Sequence, residues 1–435
     1  VDVIISPAHD LRQLAAHAEA KLRAGATRPG FASVHGENAD EVHARDLTLD
    51  RFIDAETLDG ARHLPRPGGE PRRVVLTGAS GYLGRFLALE WLERLGPEGG
   101  KLIVVVRGKD PDAARRRLKL AADHLEVLAG DIAEPRLGLD EATWERLTGE
   151  VDLVVHAGAL VNHVLPYRHL FDANVLGTAE LIRLSMTERL KPITFVSSIA
   201  VSRSHKGQPL DEDSDVRAAL PVQPVDDGYA NGYTTSKWAG EVLLREAHDL
   251  CGLPVTVFRS TMILAHSTNA GQLNVHDMFS RLMFSVLATG LAPRSFYTGE
   301  GAHYDGLPVD FTAASVVRLG GTSGYRTFSL VNPHDDGISL ETFVEWLIEE
   351  GHAIVRIPDH SDWLVRVEAA LRTLPDTQRQ YSILPLLHGF QEPEPAVSGS
   401  DVPSARFQEA AGDVPHLSRS LIRKYATDLR PLQRD

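Results

Sequence analysis

The sequence predicts a doubly wound α/β fold, a parallel sheet covered by helices on both faces. Three observations point that way. Short apolar, β-branched runs recur at 73–78, 102–107, 124–130, 151–158, 193–198 and 255–260. Helical patterns fill the intervals between them. The runs are continuously apolar rather than alternating, as a sheet buried on both faces requires.

Taken in order, "PAHDLRQLAAHAEAKLRAG" (7–25) reads as one helix: Asp10 caps it, Leu11, Leu14, Ala15, Ala18 and Leu22 share a face, and Gly25 stops it. Residues 26–70 are polar and punctuated, ending in "LPRPGGEPRR", the composition of a linker. The strand–helix rhythm then occupies 71–260. Past Arg259 it fails: "VHDMFSRLMFSVLATG" and "SLETFVEWLIEEG" are helical and "TFSLVNP" is strand-like, so 261–435 is expected to form a smaller, mainly helical domain. There is no internal repeat.

With 435 residues, 43% apolar and 24% charged, the chain has an ordinary soluble composition. Lys plus Arg number 45 against 59 Asp plus Glu, a net charge of −14, which repels a phosphate backbone and argues against nucleic acid as a partner. One cysteine, Cys251, cannot form an internal disulfide; it reads as a buried, inert thiol in a reducing cytoplasm. The most apolar stretch, "VDLVVHAGALVNHVL", is interrupted by Asp152, His156, Asn162 and His163 before it reaches spanning length, so no membrane role is expected. His35 and His43 stand in the polar stretch and are expected to be solvated; no metal site is read from the sequence.

Gly78, Gly81 and Gly84 stand three apart between the first run and a helix whose Leu83, Leu87, Trp91 and Leu95 recur every fourth residue. Glycines at that turn let the backbone approach a pyrophosphate seated at the positive end of the helix, so a dinucleotide is implied. The second run ends "VVVRGKD". Arg107 and Lys109 there suit a ribose 2′-phosphate better than the free hydroxyl that a carboxylate would bind, which favours NADPH over NADH. Asp131 is placed either to meet an adenine amino group or simply to make a turn. Tyr233 and Lys237 lie one helical turn apart in "NGYTTSKWAGE". A cation beside a phenol favours its ionised form, and Ser198, ending "FVSS", can bind the same substrate oxygen.

On these motifs the sequence resembles the extended short-chain dehydrogenase/reductases over about residues 71–435. The resemblance implies that Ser198, Tyr233 and Lys237 are catalytic, with Lys237 also holding the nicotinamide ribose and Asn174 of "NVLGT" supporting the proton path. It places the cofactor along Thr77, Gly78, Ser80, Gly81, Tyr82, Leu83, Gly84, Arg107, Lys109, Asp131, Ala157, Gly158, Ala159, Asn174, Tyr233, Lys237 and Arg259. The family's "NAG" is "HAG" here, so His156 stands where an asparagine is usual, with its role open.

"LTGASGYLGRFLALEWLERL", "GYTTSKWAGEVLLREA", "GQLNVHDMFSRL" and "NPHDDGISLETFVEWL" together look like the terminal thioester-reductase domain of carboxylic acid reductases. That likeness implies NADPH-dependent reduction of an acyl thioester, carried by a phosphopantetheine arm on an upstream carrier domain, to an aldehyde. Residues 1–25, which begin without methionine, are similar to the carrier's last helix. Asn274 and Asp277 would belong to the substrate side, Asp277 gating the nicotinamide pocket or serving only as a helix-capping acid. The family's domains also run longer near Arg117–Lys119, Gly299–Gly301 and Ala411–Asp413. Two other functions share features with the sequence: a nucleotide-sugar epimerase or dehydratase, which usually has an acid where Arg107 stands, and a non-catalytic dinucleotide sensor, which needs only the glycine turn.

Overall fold

The computed structural model describes residues 28–66, 68–204, 207–226, 228 and 230–433, so the helix expected over 7–25 lies outside the described residues. The chain divides into two compact units. The first is Val1–His205, Asp213–Val257 and Gly320–Thr327; the second is Lys206–Glu212, Phe258–Leu319 and Phe328–Asp435.

The main sheet is built from β1 (Arg73–Thr77), β2 (Lys101–Val106), β3 (Leu125–Ala129), β4 (Leu153–His156), β5 (Ile193–Ser198), β6 (Val255–Ser260) and β7 (Tyr325–Leu330). Their order is β7-β6-β5-β4-β1-β2-β3, and the pairs β1–β2, β1–β4, β2–β3 and β4–β5 are parallel. The order reverses between β1 and β4, and at such a switch point the crevice outside the strands' carboxyl ends receives ligands. The first six strands fall on the six apolar runs. The seventh takes up part of "TFSLVNP": its residues Tyr325–Thr327 belong to the first unit and Phe328–Leu330 to the second. As an edge strand it alternates buried Phe328 and Leu330 with Thr327 and Ser329, so it lacks the continuous apolar run that identifies the inner strands.

The stretch read as a linker is also corrected in part. Residues 31–61 contain helices Phe31–His35 and Ala55–Ala61 and a strand, Glu41–His43, antiparallel to Val222–Pro224. Val34, Val42, Leu47, Leu49 and Ile53 are buried. These apolar residues are spaced too irregularly for a period, so the sequence shows only the polar residues between them.

Helix α1 (Tyr82–Leu95) buries Leu83, Phe86, Leu87, Trp91 and Leu95, the fourfold recurrence seen in the sequence. Helix α2 (Asn231–Cys251) buries Trp238, Ala239, Val242, Leu243, Leu244 and Ala247 and ends at Gly252, whose φ of 71° is the left-handed stop a glycine adopts freely. Cys251 in its last turn is half-buried, its thiol donating to the Ala247 carbonyl at 3.3 Å, and burial raises its pKa. The first turn of α2 is seated by absence of bulk: a Cβ on Gly232 would stand 2.3 Å from the Leu165 carbonyl oxygen and 2.6 Å from the Tyr167 nitrogen. Both are backbone atoms with no side chain to yield.

In the second unit, helix α3 (Met278–Thr289) sets Phe279 among Tyr304, Phe343 and Tyr425, with ring centroids 4.9 to 5.7 Å apart. The Tyr425 hydroxyl oxygen also accepts the Ala265 N–H at 2.7 Å. Phe279, Phe343 and Tyr425 belong to that unit's buried core, with Tyr304 packed against it.

Gly232→Ala is expected to destabilise the protein by about 2 kcal/mol or more, the cost of overpacking against fixed backbone. Gly389→Ala, where a Cβ meets nothing within 4 Å, is the control; denaturant unfolding of both variants measures the difference.

Candidate active site

The glycine turn between β1 and α1 is crowded by backbone on every side. Gly78 has φ 81°, and a Cβ there would lie 2.6 Å from the Ala157 carbonyl and the Gly158 nitrogen. A Cβ on Gly84 would lie 1.9 Å from the Gly78 oxygen, so the first turn of α1 can close on the strand end only without a side chain. Gly81 precedes α1 as its N-cap and is exposed, while Ser80 and Tyr82 are half-buried. The N-terminus of α1 thus lies at an accessible rim, and the first amides of a helix are the donor set a pyrophosphate takes. Across the switch point Gly158 is buried between half-buried Ala157 and Ala159. Arg107 and Lys109, just beyond β2, are exposed and make no hydrogen bond or ion pair with a described residue. The cradle fits the pyrophosphate of a dinucleotide. One carboxylate oxygen of Asp131 accepts the Ala133 N–H at 3.0 Å.

At the end of β5 two adjacent serines differ. The Ser197 hydroxyl donates to the Glu241 carboxylate at 2.5 Å and is buried. The half-buried Ser198 caps the short helix Ile199–Arg203, its oxygen accepting the Ala200 N–H at 3.3 Å, which leaves its own proton to donate. Ser198 is thus the hydroxyl available to a substrate oxygen.

Lys237, 3% exposed, donates to the Val196 carbonyl at 2.8 Å, with its ammonium 4.7 Å above the Phe195 ring and 6.0 Å from that of Tyr233. Burial lowers its pKa to about 8, against the opposing pull of Glu241 one turn on. Burial also raises the Tyr233 pKa to about 12. This corrects the expectation that Lys237 tunes the phenol toward ionisation: desolvation dominates, and the tyrosine is held as a proton donor. The edge of the His163 ring meets Tyr233, centroids 5.4 Å apart at 77°, and the Ala230 N–H before α2 donates to the His163 carbonyl at 2.8 Å.

Asn174 lies in a π-helical turn, Phe171–Leu176, a widened turn frequent at functional sites. Its side chain accepts from the Leu160 N–H at 2.7 Å and donates to the Ser236 hydroxyl at 2.9 Å; Ser236 in turn donates to the Tyr233 carbonyl at 2.7 Å. The first unit therefore brings together Thr77, the glycines, Asn174, Ser198, Tyr233 and Lys237. Sequence reasoning missed Ser236, Glu241, Gly232 and Thr178. The small residues of "NGYTTSKWAGE" carry a signal for two of them, Gly232 and Ser236, since close helix seating needs such residues.

In the second unit, Arg259 is 1% exposed and donates to the Asp211 carbonyl at 3.3 Å. Asp277 caps α3, accepting the Ser280 N–H at 2.6 Å. Its other oxygen is enclosed without a partner among the described residues, and burial raises its pKa to about 7. Asn274 accepts the Asp277 N–H on its carbonyl at 3.2 Å. His35, expected in solvent, is instead enclosed: its side chain is 0% exposed and stands 3.3 Å from the Tyr167 hydroxyl, and burial lowers its pKa to about 4. Among the described residues no group of three or more His, Cys, Asp or Glu could hold a metal ion, and no helix is long and apolar enough to cross a membrane.

The family model described as male sterility protein, a nicotinamide-dinucleotide-binding family, matches residues 76–316. A carboxylic acid reductase of Segniliparus rugosus is 53% identical over 464 aligned residues, covering 99% of this chain and 39% of the relative. One from Mycobacterium marinum is 53% identical, covering 99% and 40%. The chain thus spans about two-fifths of the length of these curated relatives. Among solved structures, the reductase domain of a nonribosomal peptide synthetase from Mycobacterium tuberculosis is 48% identical, with a TM-score of 0.84, covering 91% of this chain and 100% of that one.

Two measurements check the electrostatics. Ultraviolet difference titration of the nucleotide-free protein, wild type minus Tyr233→Phe, is expected to show no phenolate from Tyr233 below pH about 10. For Asp277, the folded value of about 7 lies above the ordinary carboxyl near 4, so the stability it confers is full below pH about 4 and is lost as pH rises to about 7. Asp277→Asn retains the cap, and its melting temperature is expected to fall less than that of the wild type across that window.

Proposed function

The chain belongs to the male sterility protein family within the extended short-chain dehydrogenase/reductases, as a reductase domain, and from that membership we propose that it reduces a carrier-bound acyl thioester to an aldehyde with NADPH. The observation that carries this reading is the pairing of a phenol kept protonated by burial with a buried ammonium beneath it, at the end of the strand bearing Ser198. Bound NADPH supplies a hydride to the thioester carbonyl carbon. As the carbonyl oxygen becomes negative, the hydroxyls of Tyr233 and Ser198 stabilise it by hydrogen bonding, and Tyr233 delivers the proton. A phenol with a pKa near 12 is a weak acid toward water, yet it matches an alkoxide-like oxygen, so transfer proceeds when that charge forms and not before. The hemithioacetal then releases aldehyde and thiol, with the arm returned to the carrier in the same polypeptide.

Lys237 holds the ribose, and its charge opposes protonation of neighbouring groups. Gly78, Gly81 and Gly84 admit the pyrophosphate, with Thr77, Ser80, Tyr82, Leu83 and Ala157–Ala159 around it. Arg107 and Lys109 take the 2′-phosphate. Asn274 and Asp277 are assigned to the acyl side, and Arg259 is retained as a cofactor residue. An exposed arginine after β2, where a nucleotide-sugar epimerase usually has an acid, argues against that alternative.

Mixed with a pantetheine thioester, the protein is expected to oxidise NADPH in preference to NADH, and Tyr233→Phe to lower the rate by roughly a hundredfold or more. Replacing Arg107 and Lys109 by alanine is expected to weaken NADPH binding roughly tenfold, with NADH unaffected. A Phe variant as fast as wild type removes Tyr233 from the reaction; thioesters left intact overturn the substrate.

A further inference from the structure

His156 is the one departure from the family motif that the mechanism leaves unused, and it occupies a central position. In register, His156 on β4 lies between Thr77 on β1 and Phe195 on β5. It is 1% exposed, and Thr77 and Thr178 on either side of it are 0% and 1% exposed. Its Nδ1 is 2.8 Å from the Thr77 hydroxyl and its Nε2 is 3.2 Å from the Thr178 hydroxyl. Thr77 also accepts the Gly158 N–H at 3.2 Å, and Thr178 donates to the Asn174 backbone carbonyl at 2.6 Å.

These bonds admit one arrangement of protons. A threonine hydroxyl has a single hydrogen, and that of Thr178 is spent on Asn174, so its oxygen accepts from His156 Nε2–H. A neutral imidazole has one N–H, so Nδ1 accepts from the Thr77 hydroxyl. Thr77 then has its lone pairs for Gly158. The chain is polarised throughout, from the Gly158 amide to the Asn174 carbonyl, with every member satisfied. A second ring proton would face the Thr77 hydroxyl, force it to reverse, and stand near the Lys237 ammonium of α2, the charged group that lowers the ring's affinity for a proton along with burial.

We propose that His156 is a positioning residue that ties the dinucleotide cradle to the π turn carrying Asn174, so that cofactor seat and proton path are held in one register. One end of the chain holds Thr77 and Gly158, between which a Cβ on Gly158 would come 2.9 Å from the Thr77 hydroxyl. The other end holds the Asn174 carbonyl, and the Asn174 side chain reaches Ser236 and through it the Tyr233 carbonyl. An asparagine at position 156 reaches the nearer hydroxyl only. Histidine is long enough to touch both, and its two nitrogens differ in polarity as the two ends require.

The proposal rests on the reductase reading for its rate arm but is tested independently of it. Thr178→Val cuts the chain on the Asn174 side, and His156→Gln keeps a group near the Nε2 position while releasing Thr77. Breaking one buried hydrogen bond at either end is worth roughly tenfold, so Thr178→Val should lower kcat by about that factor with NADPH Kd within about twofold of wild type, whereas His156→Gln should raise Kd by about that factor and lower kcat less. Kd is read by tryptophan fluorescence without thioester. In the wild type, nitrogen-15 NMR of the imidazole, assigned by its loss in His156→Asn, should show Nε2 protonated and Nδ1 bare, unchanged between pH about 6 and 9. A ring that titrates in that range, or that is protonated on Nδ1, overturns the proposal. So does an equal change of Kd and kcat in both variants, as general loosening would produce. Failure of wild-type protein to act on any thioester defeats the substrate reading while the Kd and NMR results still decide the role of His156.

Discussion

A lysine ammonium buried between α2 and β5 is the interaction around which the first unit is arranged. Among the described residues no carboxylate is bonded directly to Lys237. Its charge is met by the Val196 carbonyl, by the face of Phe195 at 4.7 Å, and by Glu241 one turn away, itself occupied by Ser197. An ammonium taken out of water costs several kcal/mol unless such partners are present. All three lie on β5 or on α2 itself, so the cation is tolerable only while α2 keeps its place over the strand. That explains the sacrifice of side chains along the helix. Gly232 lets its first turn touch backbone at 165–167, and Gly240 lets its third turn meet Phe195, whose ring would be 2.8 Å from a Cβ there.

The same burial sets the protonation of everything near it. A phenol, an imidazole and an ammonium share one poorly solvated region, and each is driven toward its neutral form. The ordering of these effects has a chemical result. A tyrosine ionised in the resting state would be a base, suited to oxidising an alcohol; one kept protonated suits reduction, where charge appears on the substrate oxygen and must be quenched. The neutral His156 serves that arrangement because it adds polarity without adding charge beside Lys237.

Much of this was legible in the sequence, and the exceptions share a cause. Continuous apolar runs announce inner strands because both of their faces are covered, and six were found to within two residues of their observed ends. The edge strand β7 has only one neighbour and carries a mixed pattern, so its sequence does not announce a place in the main sheet. Gly78 and Gly84 announce a cradle because no other residue survives backbone at 2.6 or 1.9 Å; at Gly81 a Cβ would stand 3.2 Å from the Gly78 oxygen, a tighter approach than usual. The choice of Ser198 over Ser197 followed from its place at the strand end, and its reason is the occupation of Ser197 by Glu241. What failed was the sign of the tyrosine's shift. Spacing reveals that Lys237 lies one turn away; it does not reveal how much water has been removed, and here removal of water outweighs the charge. His35 was misplaced likewise: polar neighbours in sequence say nothing of Phe31, Tyr167 and Phe171, which enclose it in space.

Those aromatic residues bear on the one irregular element at the site. A π turn forfeits ideal hydrogen-bond geometry, and it persists only where surrounding contacts determine it from more than one side. On one side Phe171, the first residue of the turn, meets Phe31, His35, Phe52 and Tyr167 edge-on or tilted, with centroids 5.8 to 6.4 Å away. On the other, Asn174 is gripped by Leu160, Ser236 and Thr178. The early stretch 31–52, polar in composition, thus supplies half of the brace for a turn more than a hundred residues away. Arg28 extends that link by donating to the Ala133 carbonyl beside the turn made by Asp131. The segment that reads as a connector is therefore part of the apparatus that holds Asn174 open. From that turn the Asn174 side chain reaches the Ser236 hydroxyl of α2 at 2.9 Å, so residues 31–52 pack against the very element that meets α2 there.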